Sequence, residues 1–318
     1  MNVFLTGDIG GTNSRFACFQ QEGNKLLLES AIAVKTNDFA SFEELLNALK
    51  ENGSQFDVQQ HRKFVLAIPG PVTPADVLSF PNIKWAISKS SLKKLYPDTE
   101  IFFINDFSAQ AYGCLTEAVA DALPLIKTEQ TRDDIAIVGA GTGLGHGTLK
   151  KTAQSGYLHL PSEAGQIPFP FANDEFEQKY RTFIIQQIGI ATLVGDDVVS
   201  GRGLAILHQF ITGKLLSPSE IAAELDATSE TTQWFAKFYA RVCRNYVLST
   251  LAGGGKLFIS GGVAIKNPFL LDNNAFRNEF LQGSDTAQDV LAHIAVSLIH
   301  DERIGLFGTA YYASKLVC

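Results

Sequence analysis

Short apolar runs separated by polar, glycine-rich and proline-rich stretches recur along the chain. The runs Val3–Thr6, Phe64–Ile68, Ile101–Ile104, Ile135–Val138 and Leu257–Ile259 are rich in β-branched and aromatic residues and too short for helices, so they predict strands. Between them, apolar positions fall at helical spacing. Ser41-Phe42-Glu43-Glu44 reads as a capping box ahead of Leu45, Leu46 and Leu49, with the helix ending near Asn52-Gly53. A longer helix is predicted from about Ser229, with Phe235, Tyr239, Val242 and Tyr246 on one face as plain core, stopping at Gly253-Gly254-Gly255. Strands alternating with helices predict α/β layers. The proline-rich segment Pro69–Pro81 reads as an ordered loop.

Composition narrows the classes. With 318 residues, 46% hydrophobic and 19% charged, the chain has material for a large core and is expected to hold two lobes. A net charge of −7 without any Lys/Arg cluster argues against nucleic acid or an anionic membrane as partner, though not against a small anion gathered by backbone amides. Cys18, Cys114, Cys243 and Cys318 are scattered, a pattern that predicts free thiols in a reducing compartment rather than a zinc site or disulfide framework. The N-terminus lacks a cationic-then-apolar signal pattern, and apolar stretches such as Val290–Ile299 are too short to span a bilayer. The expectation is a cytoplasmic protein.

The chemistry concentrates where strands run into glycine. Val3-Phe4-Leu5 leads into Gly7-Asp8-Ile9-Gly10-Gly11-Thr12-Asn13, and Ile135–Val138 into Gly139-Ala140-Gly141-Thr142-Gly143-Leu144-Gly145. Glycine-rich turns let backbone amides approach a phosphate, and an adjacent acid such as Asp8 can face a metal ion; a tight hairpin satisfied by Asp8 and Asn13 is the plainer reading. Neither turn has the spacing of a P-loop or of the dinucleotide fingerprint. A third pair, Gly261-Gly262, follows the strand Leu257–Ile259 and opens a short helix, either as a structural turn or beside a base or ribose.

Ile101–Ile104 ends in Asn105-Asp106-Phe107, at the carboxyl end of a strand, where α/β proteins bind ligands. Asp106 reads as a general base or as the N-cap of a helix through Ala109, Ala111 and Leu115. Ser162-Glu163-Ala164-Gly165-Gln166 sets another acid beside an amide in a small-residue turn, suited to hydroxyl groups or simply solvated.

In order, the segments GDIGGTN, FFINDF, GAGTGLG, LPSEAGQ, VVSGRGL and FISGGVA, closing with GLFGTA at Gly305–Ala310, resemble the bacterial glucokinases of the hexokinase superfamily over nearly the whole chain. The resemblance implies a two-lobed actin-like ATPase (ribonuclease H-like) fold: a small α/β domain of residues 1–110 completed by a C-terminal helix at 305–318, a large α/β domain of 111–304, and a cleft between them. It implies transfer of a phosphoryl group from ATP·Mg²⁺ to the 6-hydroxyl of a hexose, most of all glucose, as a step of glycolysis, and a homodimer. Residue by residue, Asp106 matches the base and Asn105 and Glu163 match sugar ligands. Asp8 matches the metal-side acid, Gly7, Asp8, Ile9, Gly10, Gly11, Thr12 and Asn13 the first phosphate hairpin, Gly139, Gly141, Thr142 and Gly143 the second, and Gly261 and Gly262 the adenosine-side turn.

Two sugar-pocket positions depart from the family pattern. Gln166 stands where the family carries a histidine, and Asp196 stands where a glutamate precedes the serine-glycine of VVSG. These leave open a kinase for a different hexose or amino sugar, or a non-catalytic sugar-responsive regulator on the same scaffold. An actin-like filament or chaperone ATPase fits less well with Asn105-Asp106 and Glu163. Repressor-type relatives would add DNA-binding helices and a cysteine-rich zinc loop, which the sequence lacks.

Overall fold

The computed structural model describes residues 2–316 except 24, 81, 130, 131, 154 and 155. Pro81, Cys318 and the last two residues of the helix expected at 305–318 therefore lie outside the described residues. In chain order come β1 (Asn2–Ile9), β2 (Asn13–Glu22), β3 (Lys25–Lys35), α1 (Phe42–Glu51), β4 (Lys63–Ile68), β5 (Val77–Ser79), β6 (Ala86–Ser88), α2 (Lys89–Leu95), β7 (Glu100–Asn105) and α3 (Asp106–Gly113). They continue with β8 (Leu123–Ile126), β9 (Ile135–Ala140), β10 (Leu144–Thr152), β11 (Gly156–Ser162), α4 (Glu175–Ile188), α5 (Gly195–Val198), α6 (Gly201–Thr212), α7 (Pro218–Glu224), α8 (Glu230–Thr250), β12 (Gly255–Ser260), α9 (Gly262–Lys266), α10 (Asn274–Phe280), α11 (Asp285–Leu291), β13 (Ile294–Leu298) and α12 (Ile304–Lys315). Every strand expected from its apolar run is present. The chain divides into two compact units, Met1–Ala120 with Arg303–Cys318, and Asp121–Glu302.

The first unit is built on a five-stranded sheet of order β3-β2-β1-β4-β7, antiparallel along β3-β2-β1 and parallel along β1-β4-β7. Successive strand side chains point to opposite faces, so Leu5 and Ile9 fall on one side of β1 and Phe4, Thr6 and Asp8 on the other. The Leu5 face packs with Phe64, Leu66 and Ile68 of β4 and with Phe42, Leu45, Leu46 and Leu49, the apolar stripe of α1. Ser41 caps α1 as expected, but Glu44 reaches back to the Ala40 amide (2.7 Å) rather than to that of Ser41. Over the opposite face lies α12, with Phe307 edge-on to Phe19 at 5.0 Å. Lys63 at the start of β4 donates from Nζ to the Leu316 carbonyl (2.5 Å), tying down the end of that helix.

The second unit holds a six-stranded sheet of order β11-β10-β9-β12-β13-β8, with β9, β12 and β13 parallel. Its core is dominated by aromatic residues of α4, α8 and α10, among them the fully buried Tyr180, Phe235, Phe238, Tyr239, Phe276 and Phe280. The start of α8 matches its expected position after Ser229, and the helix ends at Thr250, just before the glycines. The apolar stretch Val290–Ile299 is divided between the end of α11 and β13. Among the described residues no helix is long and apolar enough to cross a membrane.

Candidate active site

In the first unit the opening glycine motif is mostly strand: Gly7, Asp8 and Ile9 belong to β1, Asn13 opens β2, and only Gly10-Gly11-Thr12 turn. That turn is anchored through its carbonyls. Thr36 Oγ1 donates to the Gly10 carbonyl (2.6 Å), Asn37 Nδ2 to that of Gly11 (3.3 Å), and the Thr36 amide to that of Thr12 (3.0 Å). The Gly10 amide is engaged too, donating to the Asn13 carbonyl (3.1 Å), so an anion at this turn would be met by the amides of Gly11 and Thr12. Thr36 and Asn37 were not singled out in the sequence, because a threonine and an asparagine after a strand carry no motif.

Asp8 lies across the β1–β2 ladder from Arg15. Burial pushes its carboxyl pKa up, and the Arg15 guanidinium pulls it partly back. The start of α12 closes over it, since a β-carbon on Gly305 would sit 2.7 Å from Asp8 Oδ2. A carboxylate stripped of water in this way fits a divalent cation. The described residues contain no cluster of three or more acids, histidines or cysteines placed to hold a metal. Magnesium in phosphate sites takes one or two carboxylates, with phosphate and water completing its shell, so such an ion does not require a cluster of acids.

At the end of β7 the structure separates the two readings of Asp106. The N-cap of α3 is Asn105, whose Oδ1 accepts from the Ser108 amide (3.0 Å), and Asp106 is the first helical residue. The Asn105 amide group donates to the Gly70 carbonyl (3.0 Å) and to Asp106 Oδ1 (2.9 Å), which also accepts from the Phe107 amide (2.9 Å). Capping therefore does not explain Asp106. Asn105, with its oxygen and both amide hydrogens engaged, orients the carboxylate beside it. The helix itself stops at Gly113, before the expected Leu115.

In the second unit three sequence-derived pieces meet on one residue, Leu144, just after the Gly141–Gly143 turn. Its amide donates to Asp196 Oδ1 (2.5 Å). Its carbonyl is covered by Gly165 of the Glu163–Gln166 turn, where a β-carbon would sit only 2.2 Å from the oxygen. The Gly201 amide of α6 holds the Gly141 carbonyl (2.9 Å). Asp196 thus braces the glycine hairpin, and burial raises its pKa while the Leu144 amide opposes the shift. Glu163, immediately after β11, and Gln166 are both exposed. Gly261 follows β12 with φ +87°, and a β-carbon there would meet the Ala140 carbonyl at 2.3 Å, so only glycine fits this turn.

The α8 residues Phe235, Tyr239, Val242 and Tyr246 are core, as expected, and Tyr239 adds a polar contact to that role. Its ring is fully buried, but its hydroxyl accepts from the Ala140 amide (3.0 Å), where β9 enters the second hairpin. Tyr246 likewise shares a hydrogen bond with Thr148 (2.9 Å). Helical periodicity signals burial of a tyrosine and says nothing of where its hydroxyl lands.

A family model described as Glucokinase matches residues 5–316. Among curated relatives, a glucokinase of Nostoc punctiforme is 28% identical over 348 aligned residues, covering 99% of this chain and 100% of its own. The crystal structure of a glucokinase from an Antarctic psychrotroph superimposes with a TM-score of 0.81 at 26% identity, covering 99% of this chain and 100% of that one. A glucokinase from Balamuthia mandrillaris, solved in complex with glucose, gives a TM-score of 0.78 at 22% identity over 99% and 94% of the two chains, a likeness of fold.

Proposed function

Because this chain belongs to the glucokinase family, we infer that it carries the two-lobed actin-like ATPase fold to one end: transfer of the terminal phosphoryl group of ATP to a hexose, glucose foremost. The observation that carries the mechanism is the Asn105-capped start of α3, which holds Asp106 without using it as the cap. Asp106 accepts the proton of the attacking sugar hydroxyl. Phosphoryl transfer asks mainly for alignment and charge neutralisation, with a carboxylate to receive that proton.

The turn at Gly10–Thr12 and the hairpin around Gly141–Gly143 take the ATP phosphates through backbone amides, and Gly261-Gly262 accommodates the adenosine side. Asp8 would hold magnesium, which would supply neutralisation of phosphate charge. Glu163, Gln166 and the remaining oxygen of Asp196 receive sugar hydroxyls, while Asn105, its oxygen and both amide hydrogens already engaged, holds Asp106 in place rather than the sugar. Gln166 can donate and accept but cannot become a cation, so preference among hexoses is set here. The protein acts in the cytoplasm as a homodimer, supplying hexose phosphate to glycolysis.

The test is a coupled ADP-release assay across glucose, mannose, fructose, glucosamine and N-acetylmannosamine. Glucose is expected to give the highest kcat/KM. A different sugar in first place would move the substrate assignment, and sugar binding without ADP release would favour the regulator reading.

The brace at Leu144 makes a separate prediction. Asp196→Ala strips the Leu144 amide of its acceptor, and leaving such a donor unsatisfied costs about 1–3 kcal/mol. The KM for ATP is expected to rise roughly 5–150-fold, the same energy expressed as an affinity ratio, and Asp196→Asn, which retains an acceptor oxygen, should recover most of it. An unchanged KM for ATP in Asp196→Ala would show that the brace does not position the nucleotide.

A further inference from the structure

The turn Gly10-Gly11-Thr12 is shaped by two residues further along the chain, Thr36 and Asn37, which open the one-turn 3₁₀ helix after β3. Between them they hold all three of its carbonyls, those of Gly10, Gly11 and Thr12 (2.6, 3.3 and 3.0 Å). A trans peptide unit is planar, with its C=O and its N–H pointing in opposite directions. Fixing the Gly10 carbonyl therefore aims the Gly11 amide away from Thr36, and fixing the Gly11 carbonyl aims the Thr12 amide away from Asn37. Neither amide has an acceptor among the described residues. Two consecutive N–H donors left open in this way are what phosphate oxygens take.

The clamp is itself tied to the core of the first unit. Thr36 is fully buried, its carbonyl accepts from Nε1 of Trp85 (3.0 Å), and its hydroxyl also shares a hydrogen bond with that of the buried Ser14 in β2 (2.9 Å). The Trp85 indole packs on Phe42 of α1 at a centroid distance of 5.4 Å. Asn37 donates a second time, to the Asn82 carbonyl (2.9 Å), and its Oδ1 accepts from the Lys84 amide (3.1 Å). It thereby brackets Asn82, whose φ of +62° is the one positive value at a non-glycine among the described residues. The restraint falls on two consecutive glycines, the residues with the most backbone freedom to lose, so an unclamped turn would let its amides rotate off target.

We propose that Thr36 and Asn37 are positioning residues for the phosphoryl donor, acting through the turn by aiming the Gly11 and Thr12 amides at its phosphates. This rests on the reading that the turn receives the phosphates of ATP.

The test is calorimetry on the full-length protein with MgATP and with adenosine, which lacks the phosphates, alongside steady-state kinetics and thermal unfolding. Thr36→Val keeps the shape of the side chain and removes the hydroxyl. It should weaken ATP binding about tenfold, the affinity ratio of one net hydrogen bond, and raise the KM for ATP to match, while adenosine affinity and the KM for hexose stay within about twofold. Thr36→Ser restores the hydroxyl on a smaller side chain and should return ATP affinity to near that of the parent, which a packing defect would not do. Asn37→Ala, at a half-buried position, is the second variant should Thr36→Val fail to fold, and it should weaken ATP binding several-fold with the same indifference to adenosine. Thr12→Glu, at the exposed end of the turn, probes the phosphates directly and should weaken ATP binding by like-charge repulsion.

Parental ATP affinity in Thr36→Val and Asn37→Ala with a loss in Thr12→Glu would overturn the clamp and leave the phosphates at the turn. Parental affinity in all three would remove the phosphates from the turn and the clamp's role with them. Equal losses for ATP and adenosine would reduce Thr36 and Asn37 to supports of the fold and overturn the proposal. The expected pattern in a protein that phosphorylates no hexose would instead count against the kinase reading and leave the clamp standing.

Discussion

Asp106→Asn is expected to lower kcat by about 10²–10⁴-fold, the usual contribution of a positioned general base, while the protein remains folded and binds its sugar within several-fold of the parent. The amide preserves shape and keeps an oxygen to accept from Asn105 and Phe107, so what disappears is the capacity to take a proton. Exchanging an acid for an amide in the first turn of α3 removes a favourable helix-dipole interaction of about 0.3–1 kcal/mol, too little to unfold a domain of this size. The capping role belongs to Asn105, which gives the experiment its control. Asn105→Ala should lose about 1 kcal/mol of stability as well as activity, because it removes both the cap and the group that orients the carboxylate. Steady-state ADP release and thermal unfolding on the same preparations separate the two. An Asp106→Asn enzyme with the parent's turnover would remove Asp106 from the chemistry.

The second large effect is expected on stability. Arg241 of α8 is buried between two acids, donating from Nη1 and Nη2 to Glu177 of α4 (2.7 and 2.8 Å) and from Nε to Glu279 of α10 (2.9 Å). Nη1 also reaches the Pro170 carbonyl (3.0 Å), and Arg244 adds a second cation on Glu279 (3.2 Å). Removing the central cation leaves carboxylates buried without full compensation. Arg241→Met should therefore cost about 3–5 kcal/mol, although an apolar replacement of the entire cluster can be neutral or better. For a unit of this size that corresponds to a fall in Tm of about 6–20 °C. Adding Glu177→Gln and Glu279→Gln to Arg241→Met should recover much of the loss, since the stranded charges go with the acids. A single variant that melts within 2 °C of the parent would show that the cluster is not buried as described.

The site was legible in parts, and the parts differ in physical kind. A run such as Phe64–Ile68 declares a buried strand because burial of β-branched and aromatic residues is written into composition and spacing. The Ser41 cap and the face of α8 were legible for the same local reason. Turns dense in glycine could be located, since close approach and positive φ exclude other residues, and Gly261 bears this out. The two candidate roles of Asp106 could not be separated from sequence, because Asn105 and Asp106 are both good caps and one dihedral angle decides which of them precedes the helix.

What the sequence determined by itself was the set of local elements and the order of its motifs, because helical and strand periodicities, caps and glycine turns act over a few residues. Only the tertiary structure decided which distant groups meet. Thr36 comes to the Gly10 carbonyl from 26 residues away, Asp196 to the Leu144 amide from 52, Tyr239 to the Ala140 amide from 99 and Lys63 to the Leu316 carbonyl from 253. Such pairs leave no periodic trace. Each is a single polar atom brought to a buried donor or acceptor by the packing of sheets and helices, and the energy that selects it, the penalty for an unsatisfied buried group, exists only once that packing has excluded water.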